Sequence, residues 1–292
     1  MRKLIDVSSY NKNVDWKKAK AYGCQGAILK IIRKDLKVDN GFNRNYQACN
    51  KNKIGWGVYN YSYATTAAKA KSDMEIVCGI LDKIDKSYFV YGVWFDLEDK
   101  AQASLSKAKI AEIINAAQQV VESRGYKFGV YTGMSYYEEH IDRKQVKCRN
   151  WWIARYYQGN KRMQIAVTPD EEKKPAMANI AWQYTSSGRF PKVISTGNSG
   201  NFDLNVVYKE PASKKVEETK KTPTKTKTVY YPKYRGKSSS IVDALKSLGI
   251  NSGKNNRKRI AVLNGIKNYS GSAMQNTRLL NLLKKGKLVK SK

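Results

Sequence analysis

Residues 90–99 read VYGVWFDLED, an apolar, aromatic and β-branched run (Val90, Tyr91, Val93, Trp94, Phe95) that stops at Asp96, Leu97, Glu98 and Asp99. Such a run reads as a buried strand that delivers carboxylates at its C-terminal edge. Residues i and i+2 of a strand share a face, so Asp96 and Glu98 are expected to point the same way, with Cα atoms about 6–7 Å apart, while Leu97 and Asp99 turn to the other side. Two carboxylates that close cannot both ionise freely, and one is held protonated near neutral pH. On its own the D-x-E is equally the solvated end of an ordinary strand. The rest of the chain decides between the two.

Upstream, Leu4–Val7 forms a first apolar stretch with Asp6 near its tip, and a helical pattern through Trp16, Ala19 and Tyr22 stops at Gly23. GAILKII (26–32), a helical segment carrying Phe42, Tyr46 and Cys49, the aromatic strand IGWGVYNYSYA (54–64) and a helix within 65–85 continue the alternation into the opening stretch. Beyond it come the longest amphipathic pattern, ending at Gly125, and a fifth strand, KFGVYTG. The rhythm then changes. NWWIARY (150–156), NIAWQYTSS (179–187) and NFDLNVVY (201–208) are strand-like, with short polar or Pro-containing segments between them.

Alternation of this kind predicts an α/β fold, a (β/α)-barrel with five β/α units and three further strands. In a closed barrel the first and last strands are neighbours, so Asp6, Asp96, Glu98 and Asp203 are expected to converge on the mouth formed by the C-terminal ends of the strands. Solvated strand ends have no reason to converge. The aromatics Tyr59, Tyr61, Tyr63, Tyr131, Trp152, Trp182 and Tyr184, with Gln183, then suit sugar rings, which present flat apolar faces and polar edges.

The composition narrows the chemistry. Of 292 residues, 55 are Lys or Arg and 24 Asp or Glu, a formal charge of +31 that calls for a polyanionic surrounding: nucleic acid, anionic membrane or anionic wall polymer. The single histidine, His140, follows two glutamates on what reads as surface, so neither a histidine-ligated zinc centre nor a Cys/His nucleophile pair is expected, and no metal or cofactor. The four cysteines have no C-x-x-C spacing and read as reduced thiols. No apolar run reaches the roughly 18–20 residues of a membrane span and MRKLIDVSSYNKN lacks the apolar segment of a secretory signal, so a soluble chain made in the cytoplasm is expected, without membrane insertion.

Three parts are expected: a barrel over 1–209, a Lys/Thr/Pro/Glu-rich linker over 210–228, and a mainly helical module over 229–292 with three short helices and a YYPKY lead-in able to add a strand. A module so rich in leucine leaves dimerisation open.

The blocks IDVSSYNKNVDWKKAKAYGCQGAILKI, WGVYNYSYA, FDLED, GVYTG, WWIARY, WQYTSSG and NFDLN, in that order over about 200 residues, resemble the glycoside hydrolase family 25 lysozymes, the muramidases of phage endolysins and some bacteria. The resemblance implies cleavage of the β-1,4 bond between N-acetylmuramic acid and N-acetylglucosamine in peptidoglycan. It gives Glu98 the role of general acid, Asp96 that of its partner, and makes Asp6 and Asp203 the other two acids of the site. Whether water, Asp6 or the substrate's own acetamido group attacks is left open. The tail, through RK-x-I-A-x-x-N-G-I-x-x-Y and LLNLLKKGKL, resembles C-terminal modules of clostridial phage endolysins, which implies wall targeting with Arg257, Lys258, Arg259, Asn264 and Tyr269 as contacts. The resemblance also implies release to the host wall at lysis, with peptidoglycan and anionic wall polymers as partners. The competing reading, a basic nucleic-acid-binding protein without catalysis, has only the charge behind it, because no nucleic-acid-binding motif is present.

Overall fold

Strand formation follows the apolar runs, and the ring they make is described by a computed structural model covering residues 1–159, 161–192, 194–211, 230–266 and 269–290. Strands β1 (Arg2–Val7), β2 (Gly26–Lys30), β3 (Gly55–Tyr61), β4 (Phe89–Asp96), β5 (Phe128–Gly133) and β6 (Trp151–Ala154) lie side by side and parallel. Between them run α1 (Trp16–Ala21), α2 (Phe42–Lys51), α3 (Ala67–Leu81), the pair α4 (Lys100–Ala103) and α5 (Lys107–Ser123), and α6 (Met134–His140). These are the five expected β/α units. A two-residue strand β7 (Met163–Gln164) then precedes β8 (Ala181–Arg189) and β9 (Phe202–Val207). β6 pairs with β8, β8 with β9 and β9 with β1, closing an eight-strand barrel with β7 as an addition on β8. The last two closures, β8–β9 and β9–β1, are antiparallel. Antiparallel strands need no helical crossover, and β9 follows β8 without an α-helix between them.

Residues alternate between two cores. The outer core, between strands and helices, takes Ile5, Val58, Val93, Phe95, Leu97, Phe128 and Trp151, and helix residues such as Met74 and Ile114. Inside the barrel, Leu4, Ile28, Tyr91, Trp94, Tyr131 and Trp152 form a smaller cluster. Strand β4 departs from simple alternation. Tyr91 and Trp94, three residues apart, both face inward, because Gly92 sits at φ +72 and the register with β3 slips between Trp56 and Val58. A left-handed residue in a bulge costs glycine little and a substituted residue much more. After the bulge Trp94 and Asp96 share the inner face, with Phe95 and Leu97 outside. Room for Trp94 comes from the facing strand, where a Cβ on Gly129 would stand 2.3 Å from the indole ring.

The chain divides into two compact units, Met1–Val216 and Glu217–Lys292. In the second, α7 (Ile241–Ser247), α8 (Lys254–Leu263) and α9 (Ala273–Lys284) begin at Ser240, Gly253 and Ser272, and the two serine side chains accept a backbone N–H of the first turn. They pack Ile241, Leu245, Ile260, Leu279 and Leu283 around Tyr234 and Leu288, and the YYPKY segment adds one antiparallel bridge, Tyr230 to Val289. Apart from Glu210 and Pro211, the expected linker lies outside the described residues.

Candidate active site

Each acid reaches the mouth by a different local route. Asp6 is the penultimate residue of β1 and Asp96 the last of β4; Glu98 stands two residues beyond, on the loop before α4. Asp203 corrects the expectation that all four occupy C-terminal strand ends. It is the second residue of β9, and because that strand runs antiparallel its beginning lies at the mouth, in register with Asp6. Asp99 serves elsewhere: its side chain caps α4 through the N–H of Ala101.

Asp6 is held tightly. Its Oδ2 accepts Nε2 of Gln183 at 2.9 Å and Nδ2 of Asn205 at 2.8 Å, and its carboxyl shares a hydrogen bond with that of Asp203. Burial pushes Asp6 up to about 6, against the downward pull of those hydrogen bonds. Asp203 lies well above the usual carboxylate range through burial, then the Asp6 charge, the Asp6 hydrogen bond and Glu98. Asp96 is the opposite case from Asp6. Its Oδ1 is buried and makes no hydrogen bond among the described residues. Burial first, then the charges of Glu98 and Asp6, lift it well above the usual range, with Lys30 opposing. Glu98, still open to solvent, is raised too, by loss of water around its carboxyl and then by Asp6, again against Lys30. The mouth therefore keeps carboxyls protonated at a pH where free ones are ionised, the condition for a proton donor.

Around the acids, Tyr61 and Tyr63 stack at 4.9 Å between ring centroids, with Lys30 Nζ 5.7 Å from the Tyr61 ring and 6.0 Å from that of Tyr59. Tyr131 packs on Trp152 at 4.4 Å, and its hydroxyl donates to Gln183. Trp152 is buried beneath it and donates to Asn205, so it is a supporting residue with no open face for a sugar. A cleft of about 480 Å³ opens beside Glu98, lined also by Tyr131, Tyr136, Arg155 and Tyr156.

Besides Trp152, two expectations fail here. Trp182 and Tyr184 flank Gln183 on β8, and adjacent strand residues face opposite sides. With Gln183 turned inward, both are fully buried in the outer core, where Trp182 packs on Tyr157 at 5.5 Å and donates to Arg155 O. They do not reach the mouth. Conversely, Lys30, Tyr156 and Asn205 escaped the sequence reading. Lys30 ends a buried strand as Asp96 does, and Asn205 stands two residues after Asp203; both carried the signal that singled out the acids.

In the C-terminal unit, three of the five expected wall contacts turn inward. Arg257 donates through Nη1 to Tyr269 Oη and Asn276 Oδ1, both at 2.9 Å, and through Nε to Ser252 O. Asn264 closes α8 and bonds the backbone of Val289 in both directions. Lys258 and Arg259 remain outside, beside Asn255 and the exposed Val262 and Leu263, where a shallow depression of about 620 Å³ lies.

A barrel mouth that gathers four carboxyls is the kind of equipment that proton-assisted cleavage of a glycosidic bond uses. The family model of the glycosyl hydrolases family 25 matches residues 5–193, and the chain belongs to that family. No curated protein matches it. Among solved structures it is similar to the modular autolysin LytC of Streptococcus pneumoniae, at 24% identity over 71% of this chain and 46% of that one, with a TM-score of 0.56. It is similar also to the catalytic domain of the endolysin ply40 from a bacteriophage of Listeria monocytogenes, at 20% identity, 71% and 93% coverage and a TM-score of 0.55. A family 25 glycosyl hydrolase from Bacillus anthracis gives 22%, 72% and 90%, with a TM-score of 0.52. At these identities the likeness is one of fold, and the chain spans less than half of the pneumococcal autolysin.

Proposed function

We propose that the chain is a peptidoglycan hydrolase of the muramidase type, cleaving the β-1,4 bond between N-acetylmuramic acid and N-acetylglucosamine. The observation that carries this reading is the set of four carboxyls at the barrel mouth, one with a buried oxygen left unbonded. Glu98, raised in pKa and open to the cleft, donates its proton to the glycosidic oxygen as the bond breaks, a step worth about 10²–10⁴ in rate. Asp96 has a free acceptor where a substrate N–H can satisfy it, and an acetamido N–H is of that kind; a carboxylate there steers the acetamido oxygen towards the cationic sugar carbon. Asp6 is poorly suited to direct attack, because Gln183, Asn205 and Asp203 occupy its oxygens. Tyr59, Tyr61, Tyr63 and Tyr131 supply the surfaces and hydroxyls for the sugars.

For the C-terminal unit we propose wall targeting of the clostridial-phage type, with Lys258 and Arg259 as contacts. Residues 229–292 hold fifteen Lys or Arg and one acid, Asp243, which suits the anionic polymers of a Gram-positive wall. Tethering raises the barrel's concentration at its substrate without new catalytic contacts. The same reading makes the protein a phage endolysin that acts on the host wall after release. Reducing ends and product masses from purified, nucleic-acid-free peptidoglycan test it: muramidase products are expected, and glucosaminidase or amidase products, or none, would refute it.

A further inference from the structure

The carboxyl pair Asp6/Asp203 shares one hydrogen bond, and the groups behind it dictate on which side the proton sits. An indole N–H can only donate. Trp152 Nε1 lies 2.8 Å from Asn205, so the Asn205 atom facing it is the amide oxygen. The Asn205 amide nitrogen then faces Asp6 Oδ2 at 2.8 Å, and that oxygen must accept. Gln183 repeats the pattern, its Oε1 receiving the hydroxyls of Tyr131 and Tyr156, both at 2.7 Å, and its Nε2 donating to the same Asp6 oxygen at 2.9 Å. We propose that Trp152 and Asn205 are positioning residues that hold Asp6 as the anion of the pair, so that the shared proton belongs to Asp203.

Two amide donors on Oδ2 leave no place for a proton there, and a proton on the other oxygen would cancel the charge that strengthens both bonds, so they favour the anion. The arrangement explains why an indole sits with its N–H aimed inward beneath a catalytic mouth when its ring has no free face. The charged and titratable groups around Asp6 are Asp203 on β9, Asp96 at the end of β4, Glu98, Tyr59 on β3, Tyr131 on β5 and Tyr156; Lys30 on β2 faces Asp96 and Glu98. All but Lys30 are acidic groups, so the Asp6 charge is steadied by hydrogen bonds: the two amides, the proton shared with Asp203 and a backbone N–H. The inference rests on the hydrolase reading for its catalytic consequence, though not for the proton's location.

The test compares kcat/KM against pH on purified peptidoglycan for the full chain, Trp152→Phe and Asn205→Asp, together with carbon-detected NMR titration of the aspartate carboxyls. Trp152→Phe keeps the packing, loses the N–H and frees the Asn205 amide to turn; its acid limb should move up by about one pH unit, with KM within about twofold. Asn205→Asp keeps the indole and replaces the donor by a like charge, so its limb should move further and one aspartate should titrate higher in the spectra. It also serves if Trp152→Phe does not fold. Acid limbs and aspartate titrations that superimpose on those of the wild type would overturn the proposal. If the wild type releases no reducing ends, the hydrolase reading fails, and the NMR titration alone decides this one: a raised aspartate in the variants supports it and an unaltered titration overturns it.

Discussion

At the barrel mouth Asp96 buries an oxygen that nothing among the described residues bonds, whereas in the C-terminal unit Arg257, Tyr269 and Asn276 saturate one another. Both clusters hold polar residues in conspicuous sequence motifs. The difference lies in what each leaves unsatisfied. A buried polar group without a partner costs roughly 1–3 kcal/mol, and at the mouth of a cleft a bound ligand is able to satisfy it. A network whose members bond one another is a staple that supports the fold. Motif membership alone does not separate the two cases.

Substitutions at the mouth and in the staple should therefore have opposite signatures. Glu98→Gln is the largest expected effect, a loss of about 10²–10⁴ in kcat with the melting temperature unchanged, read by reducing-end release and calorimetry. Equal activity would remove Glu98 from its role. Asp96→Asn should cut kcat by about 10²-fold while raising stability by about 1–3 kcal/mol, since it removes a buried carboxyl whose ionisation is opposed by burial and the neighbouring acids. Loss of both activity and stability would place Asp96 with the staples.

The same acids set a pH dependence. Their folded-state pKa values are raised, Asp6 to about 6, so between the ordinary carboxylate range near 4 and about 6 the native state holds more protons than the unfolded chain. Stability contributed by these groups should accordingly fall as pH rises through that window and level off above the folded values. Urea titrations at stepped pH on wild type and Asp96→Asn should show the fall reduced in the variant.

In the C-terminal unit, Arg257→Ala should lower that unit's stability by about 1–3 kcal/mol and leave cleavage of soluble fragments untouched. The smallest effect belongs to Lys258→Ala with Arg259→Ala: stability within about 0.5 kcal/mol of wild type, and weaker, less salt-sensitive retention on intact walls. Should this pair unfold the unit instead, the contrast between its inner and outer cations would collapse.

The sequence made much of this legible. Period-two and helical patterns locate the strands and the five crossovers because they reflect which face is buried, and Asp6, Asp96 and Asp203 were visible as carboxyls on otherwise apolar strands. What it did not reveal were orientations. The Gly92 bulge shifts β4 by one position, which turns Tyr91 and Trp94, three residues apart, to the same inner face. The antiparallel run of β9 brings Asp203 to the mouth from a strand's beginning, and the inward turn of Gln183 condemns Trp182 and Tyr184 to the outer core. In the tail, RK-x-I-A-x-x-N-G-I-x-x-Y marks a helix and its stop, yet only packing tells that Arg257, Asn264 and Tyr269 face inward while Lys258 and Arg259 face water. Local sequence carries the periodicity of burial; partners distant along the chain, such as Trp152 with Asn205 or Gln183 with Asp6, determine protonation and role, because a hydrogen bond between residues 53 or 177 positions apart exists only once the barrel has closed.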